Sequence, residues 1–183
     1  MIKGKKVVLR GKRLEDAKKD YAWKTDNELA HLDAAIPLDT PFFRYLLSYA
    51  DELRYANTGG HRYAIETING KHIGNCSCYN LDQNKEEAEL GIIIGDPDYW
   101  NKGYGGDAVT TLVNHVFKEE KLKRIYLHTL EENTRAQRCF QKCGFIPCGR
   151  VSRGEYNFIV MEIKKQGTPA EESPKIAISP LCH

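Results

Sequence analysis

A glycine-rich segment near the middle of the chain has the residue types and spacing of an anion-binding turn. It reads YWNKGYGGDA, runs from Tyr99 to Ala108 and contains three glycines. An apolar, strand-like run precedes it, and a helical pattern of apolar residues follows it. The first N–H groups of a helix lack partners within the helix, and glycines allow an anion to approach them. The segment therefore predicts either a phosphate-binding turn, with Lys102 adding a charged contact, or a tight structural turn.

The cysteines are the other residues whose spacing bears on chemistry. The chain has six, and they lack the paired C-x-x-C spacing of a structural zinc site, so we expect no bound metal. Cys139 and Cys143 are one helical turn apart. A metal or redox role for this pair therefore stands beside the alternative that both are small buried apolar residues.

The strand, turn and helix that carry the glycines belong to a longer alternation of elements. The apolar period changes from helical to alternating near residue 61, and Asn69-Gly70 is a strong hairpin signal. Asn133 and Gly144 have the residue types that begin and end a short helix. The predicted strands are 6–10, 61–68, 71–81, 88–94, 124–130, 145–151 and 156–163. The continuous apolar end of 88–94 predicts burial on both faces. The predicted helices are 14–32, 41–55, one that ends near 121, and one between Asn133 and Gly144.

Length and composition fit one mixed α/β domain. The chain has 183 residues, of which 41% are hydrophobic and 28% charged, and its net charge is +2. We assign residues 1–165 to the domain and 166–183, which lack periodicity, to a tail that is flexible or docks on a partner subunit. The charge gives no reason to expect nucleic acid, and no apolar run predicts a membrane span or signal core. We therefore expect a cytoplasmic protein, and leave a homodimer open.

Two segments together have a more specific pattern than the glycines alone. The stretch IIIGDPDYWNKGYGGDA resembles the acetyl-CoA motif [RQ]-x-x-G-x-[GA] of the GNAT superfamily of N-acetyltransferases, with Gly103 and Gly105 in the glycine positions. NTRAQRCFQKCGF resembles the family's second signature. Trp100 stands where the motif has Arg or Gln, a departure typical of the branch that includes ribosomal-protein N-terminal acetyltransferases. The opening residues Leu9, Arg10, Asp16, Trp23 and Asp26 are similar to that branch as well.

The resemblance implies a mostly antiparallel central sheet flanked by helices, with a strand–glycine turn–helix site for acetyl-CoA. The amides of the turn would hold the pyrophosphate, and the edge of residues 92–94 would pair with the pantetheine amides. Asn133 would bind the pantetheine arm, or serve as a helix cap alone. The implied cofactor-binding set is Ile92, Ile93, Ile94, Trp100, Asn101, Lys102, Gly103, Tyr104, Gly105, Gly106, Asn133 and Phe140.

Acetyl transfer to an amine needs a proton acceptor, a stabilised oxyanion and a protonated leaving thiolate. The family's usual acid is a tyrosine at the position of Phe140, so another group must serve or the thiolate must leave unassisted. His128 and Glu89 are the two candidate bases. The ordinary pKa of histidine suits this role without help, whereas a glutamate needs burial to raise its pKa. Each is alternatively a structural strand residue, and water relaying the proton is a third route.

The leading interpretation is an N-acetyltransferase that moves the acetyl group of acetyl-CoA to a primary amine, by direct attack in a ternary complex. The acceptor is a protein N-terminus or a small amine. A non-catalytic acyl-CoA-binding module of the same fold is one alternative, because of Phe140. A nucleotide site in an unrelated α/β protein is another.

Overall fold

The computed structural model describes residues 1–55 and 61–166 of the chain. The strands are β1 (Ile2–Lys3), β2 (Val7–Arg10), β3 (His61–Thr67), β4 (His72–Asp82), β5 (Glu87–Ile94), β6 (Arg124–Leu130), β7 (Ile146–Arg153) and β8 (Tyr156–Lys164). The helices are α1 (Ala17–Thr25), α2 (Asn27–Leu32), α3 (Phe42–Arg54), α4 (Tyr104–Glu119) and α5 (Thr134–Lys142). No helix within these ranges is both long enough and apolar enough to span a bilayer. The predicted tail after residue 166 lies outside the described residues.

The strands form one sheet in the order β1-β2-β3-β4-β5-β6-β8-β7. Every neighbouring pair is antiparallel except β5 and β6, which are parallel. Their pairing covers only three rows, from Glu87 with Arg124 to Glu89 with Tyr126. Both strands continue beyond the last row without pairing to each other. The expected mixed, mostly antiparallel sheet is confirmed, and it contains an internal gap.

The core lies between the sheet and α4. Ala108, Leu112 and Val116 are fully buried on one stripe of α4, and they belong to the same buried cluster as Ile125 and Leu127 of β6. This stripe is the apolar pattern that the sequence shows at helical spacing. Burial of α4 against the sheet fixes the position of its N-terminus, where the glycines lie.

Asp107 ties the start of α4 to the N-terminal strands. Its carboxylate accepts hydrogen bonds from the backbone N–H groups of Lys5 (3.1 Å), Lys6 (2.7 Å) and Val7 (3.1 Å). These three amides belong to the turn between β1 and β2 and to the first residue of β2. The glycine turn is therefore anchored by charge-assisted bonds from a second part of the chain.

Two sequence-based predictions are wrong in detail. The helix predicted at 14–32 is a short 3₁₀ turn followed by α1 and α2, because Asp26 leaves the helical conformation and caps α2 through Leu29 N–H. The run at 88–94 is not buried on both faces: Gly91 to Ile94 are half-buried. The gap beside β5 removes the neighbour that would have covered this end of the strand.

A buried ion pair links β2 to the start of α1. Both side chains are 3% exposed, and Arg10 donates two bonds of 2.7 Å to the carboxylate of Asp16. Arg10 also donates to Glu66 of β3. Burial by itself raises the pKa of Asp16, but the hydrogen bonds from Arg10 and from Arg13 N–H, together with the charges of His72 and Arg10, outweigh it and hold that pKa below its usual value.

We expect Asp16→Asn to destabilise the protein by about 3–5 kcal/mol at pH 7, because it removes the buried carboxylate charge that accepts two bonds from the guanidinium and leaves Arg10 paired with Glu66 alone. Since the folded-state pKa is lowered, the contribution of Asp16 is present above the ordinary pKa of 3.8 and is lost as the pH falls below it. Urea unfolding at pH 7 and pH 3 checks both points. The control is Glu15→Gln, which alters an exposed carboxylate 3.5 Å from Arg13. Equal costs for the two variants would contradict the prediction.

Candidate active site

The gap between β5 and β6 exposes backbone groups inside the sheet. Gly95 N–H donates to Ile73 of β4, whereas the carbonyl of Glu86 accepts from Lys123 on the β6 side. Backbone groups alternate along a strand, so those of Leu90, Ile92 and Ile94 face the gap. Of the three predicted edge residues, Ile92 and Ile94 therefore offer backbone groups to a ligand. The carbonyl of Ile93 instead points at Gly74 of β4.

Trp100 fixes the glycine turn against the end of β5. Its indole N–H donates to the carbonyl of Ile94 at 2.6 Å. The guanidinium of Arg135, in the first turn of α5, lies 3.8 Å from the centre of the indole ring. Trp100 thus links β5 to α5, and its ring holds the positive charge of Arg135 at the entrance of the gap.

Gly103 is the glycine whose conformation the turn requires. Its φ is +83°, and it precedes the first residue of α4. Gly105 and Gly106 do not have positive φ, and a Cβ on either would meet no atom nearer than 3.6 Å. A Cβ on Gly105 would face Ile94 and Cys139, and one on Gly106 would face Cys139 and Cys143, so the two glycines leave room between the start of α4 and its neighbours β5 and α5.

Two lysines lie near this turn: Lys102, which the sequence places there, and Lys6, which it does not. The ammonium of Lys102 donates to the carbonyl of Asp98 at 2.7 Å, so it closes the turn. The ammonium of Lys6 donates to the carbonyl of Lys102 at 2.8 Å and lies 3.6 Å from where a Cβ on Gly103 would stand. Lys6 therefore brings a charge to the turn from a position about 100 residues away in the chain. No local spacing could have identified it.

The second signature forms α5 as expected. Asn133 caps the helix by accepting from Ala136 N–H at 3.1 Å, and Gly144 ends it with a φ of +94°. The amide nitrogen of Asn133 is not used in the cap, and Asn133 lines a cavity at the gap. Phe140 is 7% exposed, with its ring 6.0 Å from that of Phe145, so it joins the core below this cavity.

This cavity has a volume of about 330 Å³ and joins the gap to the face of the sheet that carries α2. Its wall includes the Leu32–Ala34 segment after α2 and Arg153 from the β7–β8 hairpin, two regions without a readable motif in the sequence. The lining residues are Leu32, Asp33, Ala34, Tyr79, Glu89, Leu90, Gly91, Ile92, Leu127, His128, Thr129, Leu130, Asn133, Ala136, Phe140, Arg153, Tyr156 and Phe158.

His128 and Glu89 form one hydrogen-bonded pair in this cavity. Nδ1 of His128 lies 2.7 Å from Oε1 of Glu89. Nε2 of His128 lies 3.1 Å from Nη2 of Arg153. A guanidinium can only donate hydrogen bonds, so Nε2 accepts one from Arg153. The ring proton is therefore on Nδ1, which donates a hydrogen bond to Glu89. The two residues that the sequence offers as rival bases are therefore partners.

Two residues of β4 also form hydrogen bonds with Glu89. Asn80 donates to its other oxygen at 3.0 Å, from a backbone with a φ of +52° where the β4–β5 register shifts. Tyr79 bonds to Glu89 as well, and burial together with that carboxylate raises the pKa of Tyr79 to about 12. A Cβ on Gly91 would lie 3.1 Å from the ring of Tyr79. A glycine inside an apolar strand often marks such a close approach, so Gly91 is the feature of the sequence that could have indicated it.

A second cavity of about 610 Å³ adjoins the first and shares Leu130 and Tyr156 with it. Three carboxylates line it, from Glu131, Glu132 and Glu155. Glu132 pairs with His31 at 2.7 Å, and Glu131 with Arg150 at 3.4 Å. Its lining residues are His31, Leu130, Glu131, Glu132, Glu155, Tyr156 and Asn157.

Comparison with known proteins matches this chain to one family. The model of the acetyltransferase (GNAT) domain matches residues 6–146. The chain belongs to the GNAT family. The predicted fold, the acetyltransferase class and acetyl-CoA as cosubstrate are thereby confirmed.

Two curated relatives and one solved structure show how similar the chain is to known members. It is 28% identical to spermidine N(1)-acetyltransferase of Vibrio cholerae over 90 residues, 49% of this chain and 51% of that one. The match therefore spans about half of that relative. It is 26% identical to spermine/spermidine N(1)-acetyltransferase of Bacillus subtilis, over 76% of this chain and 86% of that one. The crystal structure of the Vibrio cholerae spermidine N-acetyltransferase in complex with CoA and spermine has a TM-score of 0.76 at 20% identity, covering 87% and 95% of the two chains.

Proposed function

We propose that this GNAT acetyltransferase acetylates a primary amine of a small molecule that carries further positive charges. The observation that carries the proposal is the run of carboxylates beside the His128–Glu89 pair. Glu89 and Asp33 line the first cavity, and three glutamates line the adjoining one. Arg153 is the one arginine or lysine in the two linings, so the pair of cavities favours a cation. A polyamine has that chemistry, and the relatives named above are polyamine acetyltransferases.

The cosubstrate fits the turn and the gap. Its pyrophosphate would be held by the amides at the start of α4, with Lys6 close enough to add a charge. Its pantetheine arm would enter the gap, where the backbone groups of Ile92 face a ligand and where Asn133 offers an amide N–H. A chain that itself contains amides satisfies strand edges as a neighbouring strand would. This arm ends beside His128.

The His128–Glu89 pair supplies the proton acceptor. Bound acetyl-CoA provides the thioester whose carbonyl carbon the amine attacks directly in a ternary complex. Nε2 of His128 has a lone pair, which accepts a hydrogen bond from Arg153. Glu89 orients the imidazole through Nδ1 and stabilises the imidazolium that forms on proton uptake, as the third member of a catalytic triad does. The acceptor amine would replace Arg153 at Nε2.

Phe140 cannot protonate the leaving thiolate, and two tyrosine hydroxyls lie in the cavity instead. Tyr79 is protonated at neutral pH, with its pKa raised to about 12, but its bond is directed at Glu89. Tyr156 lies between the two cavities. A thiol with an ordinary pKa near 8.5 is also a competent leaving group without assistance. Catalysis therefore does not require a tyrosine at position 140.

Asn133 allows the helix cap to be separated from cosubstrate binding. We expect Asn133→Asp to keep the cap, and with it the melting temperature, while it weakens CoA binding because the amide donor is lost. Asn133→Ala should lose both, at a stability cost of about 1 kcal/mol. Thermal melting and calorimetric titration with CoA measure the two effects. Unchanged CoA affinity in the folded Asp variant would mean that Asn133 is a cap alone.

The paired geometry predicts strongly non-additive kinetics. We expect His128→Ala to lower kcat by about 10²–10⁴-fold, and Glu89→Gln to lower it less, because Glu89 acts through His128. The double variant should be no slower than His128→Ala alone. Single-turnover rates of the wild type, the two single variants and the double variant, measured with saturating acetyl-CoA, give this double-mutant cycle. Multiplying losses would show independent roles, and full activity of His128→Ala would assign proton uptake to another group or to water.

An acceptor panel tests the proposed substrate class. We expect thiol release from acetyl-CoA to be faster with spermidine and spermine than with short peptides that have free N-termini. The KM for spermine should rise by about two- to fivefold in Glu155→Gln, the loss typical of one exposed charge pair. The KM for a monoamine should not change. Glu52→Gln, an exposed carboxylate on α3, is the matched control.

Two outcomes would contradict the proposal. A higher kcat/KM for peptides than for every polyamine would make the acceptor a protein N-terminus, as in the ribosomal-protein branch that the Trp100 pattern suggests. A spermine KM equally insensitive to Glu155→Gln and Glu52→Gln would show that the second cavity does not hold the distal charges.

A further inference from the structure

Two cysteines lie directly below the glycine turn. Cys139 is on α5, and Cys143 is the residue at which α5 ends. A Cβ on Gly106 would stand 3.6 Å from Sγ of Cys143 and 3.7 Å from Sγ of Cys139. Sγ of Cys143 also lies 3.5 Å from the carbonyl oxygen of Gly106. The end of α5 therefore contacts the first turn of α4 through two sulfur atoms.

These two thiols differ electrostatically from the other described cysteines. Cys139 donates a hydrogen bond to Cys143, and Thr110 assists, which lowers the pKa of Cys143 to about 7 despite its burial. The same bond raises the pKa of Cys139. Burial raises the pKa of both Cys76 and Cys78 to about 12. The lowered pKa makes Cys143 more readily ionised than an ordinary cysteine, and a second thiol lies beside it.

A disulfide between these cysteines requires the end of α5 to move. Residues four apart on a helix have Cα atoms about 6 Å apart, within the range that a disulfide spans, but their Cβ atoms, about 5–6 Å apart, must approach to about 4 Å. The last turn of α5 is already tightened, because Cys143 N–H is shared between the carbonyls of Cys139 (3.2 Å) and Phe140 (3.0 Å). Gly144 follows with a positive φ, so the chain leaves the helix at once.

We propose that Cys139 and Cys143 form a reversible disulfide by exchange with a low-molecular-weight disulfide, and that this modification weakens binding of the cosubstrate at the glycine turn. The Cys143 thiolate attacks one sulfur of the reagent, forms a mixed disulfide and expels one thiolate. Cys139 then loses its proton and attacks the Cys143 sulfur, which breaks the mixed disulfide and expels the second thiolate of the reagent. The protein dithiol is oxidised by two electrons, and the reagent is reduced to two thiols.

Formation of the bond disturbs the turn through Gly106. A disulfide draws the two sulfurs to about 2 Å, so Cys143 leaves the Gly106 carbonyl and the end of α5 moves against α4. The amides of this turn are the ones assigned to the pyrophosphate, so this step rests on the proposed placement of CoA. Bound CoA should in turn slow the oxidation, because ligand binding and disulfide formation oppose each other.

The experiment uses the full chain with Cys182→Ser, since Cys182 lies outside the described residues. The protein is equilibrated over a series of glutathione disulfide to glutathione ratios, quenched with a thiol alkylator and analysed by intact mass and peptide mapping. Binding is titrated with desulfo-CoA, which has no thiol and cannot reduce the protein. We expect a Cys139–Cys143 disulfide, desulfo-CoA affinity lower by about tenfold, the loss of one charge-assisted contact, and recovery with dithiothreitol.

Three variants localise the effect. Cys143→Ser should not react, and Cys139→Ser should stop at a mixed disulfide with glutathione on Cys143. Cys148→Ser is the matched control, because Cys148 is exposed on β7 beside Val160 and Arg124, away from the turn. It should form the disulfide and lose affinity as the parent does.

Absence of the disulfide at every ratio would overturn the proposal, and so would a disulfide that leaves desulfo-CoA affinity unchanged. The mass readout reports the thiol chemistry alone. The affinity of the reduced protein, compared with that of reduced Asn133→Asp, reports the placement of CoA. Failure of the modification and failure of the proposed cosubstrate site are therefore distinguishable.

Discussion

The missing pairing between β5 and β6 is the constraint on which the rest of the site depends. Backbone amides and carbonyls inside a sheet normally bond to a neighbouring strand, because a buried unpaired group is costly. Here the parallel ladder stops at Glu89, and both strands continue. Beyond this row each strand remains paired with its other neighbour, β5 with β4 and β6 with β8, which keeps the two strands apart. Trp100 satisfies the carbonyl of Ile94, and the remaining groups of the gap suit a ligand that contains amides.

A modest net charge conceals a division of charge across this gap. Lys6 and Arg135 lie at the glycine turn, on the side where phosphates would bind. The carboxylates of Glu131, Glu132 and Glu155 lie around the cavity at the other end. The two substrates of the proposed reaction, acetyl-CoA and a polyamine, have opposite charges, so this division would direct each to its own entrance. The net charge of +2 could not reveal it, since composition sums the two ends.

The sequence predicted those features that depend on neighbours in the chain. The strand 124–130, the cap at Asn133 and the glycine at the end of α5 follow from local period and helix-end chemistry, and the structure has them. The sequence could not predict features made by residues distant in the chain. Lys6 reaches the glycine turn from the connection between β1 and β2, and Arg153 reaches His128 from the last hairpin. The helical pattern of 14–32 is interrupted at Asp26, whose side chain caps α2 by accepting from Leu29 N–H.

The position of the His128–Glu89 pair follows from the sheet register. Glu89 is in the last row of the parallel ladder, opposite Tyr126, and His128 is two residues further along β6. Side chains two apart lie on one face, so His128 projects on the same face as Glu89, at the point where the strands separate. A ligand arm that enters the gap from the glycine turn runs along β5 towards this fork and cannot pass it, because the strands pair there. The register that closes the gap therefore also determines where the arm ends and which two side chains stand beside its end.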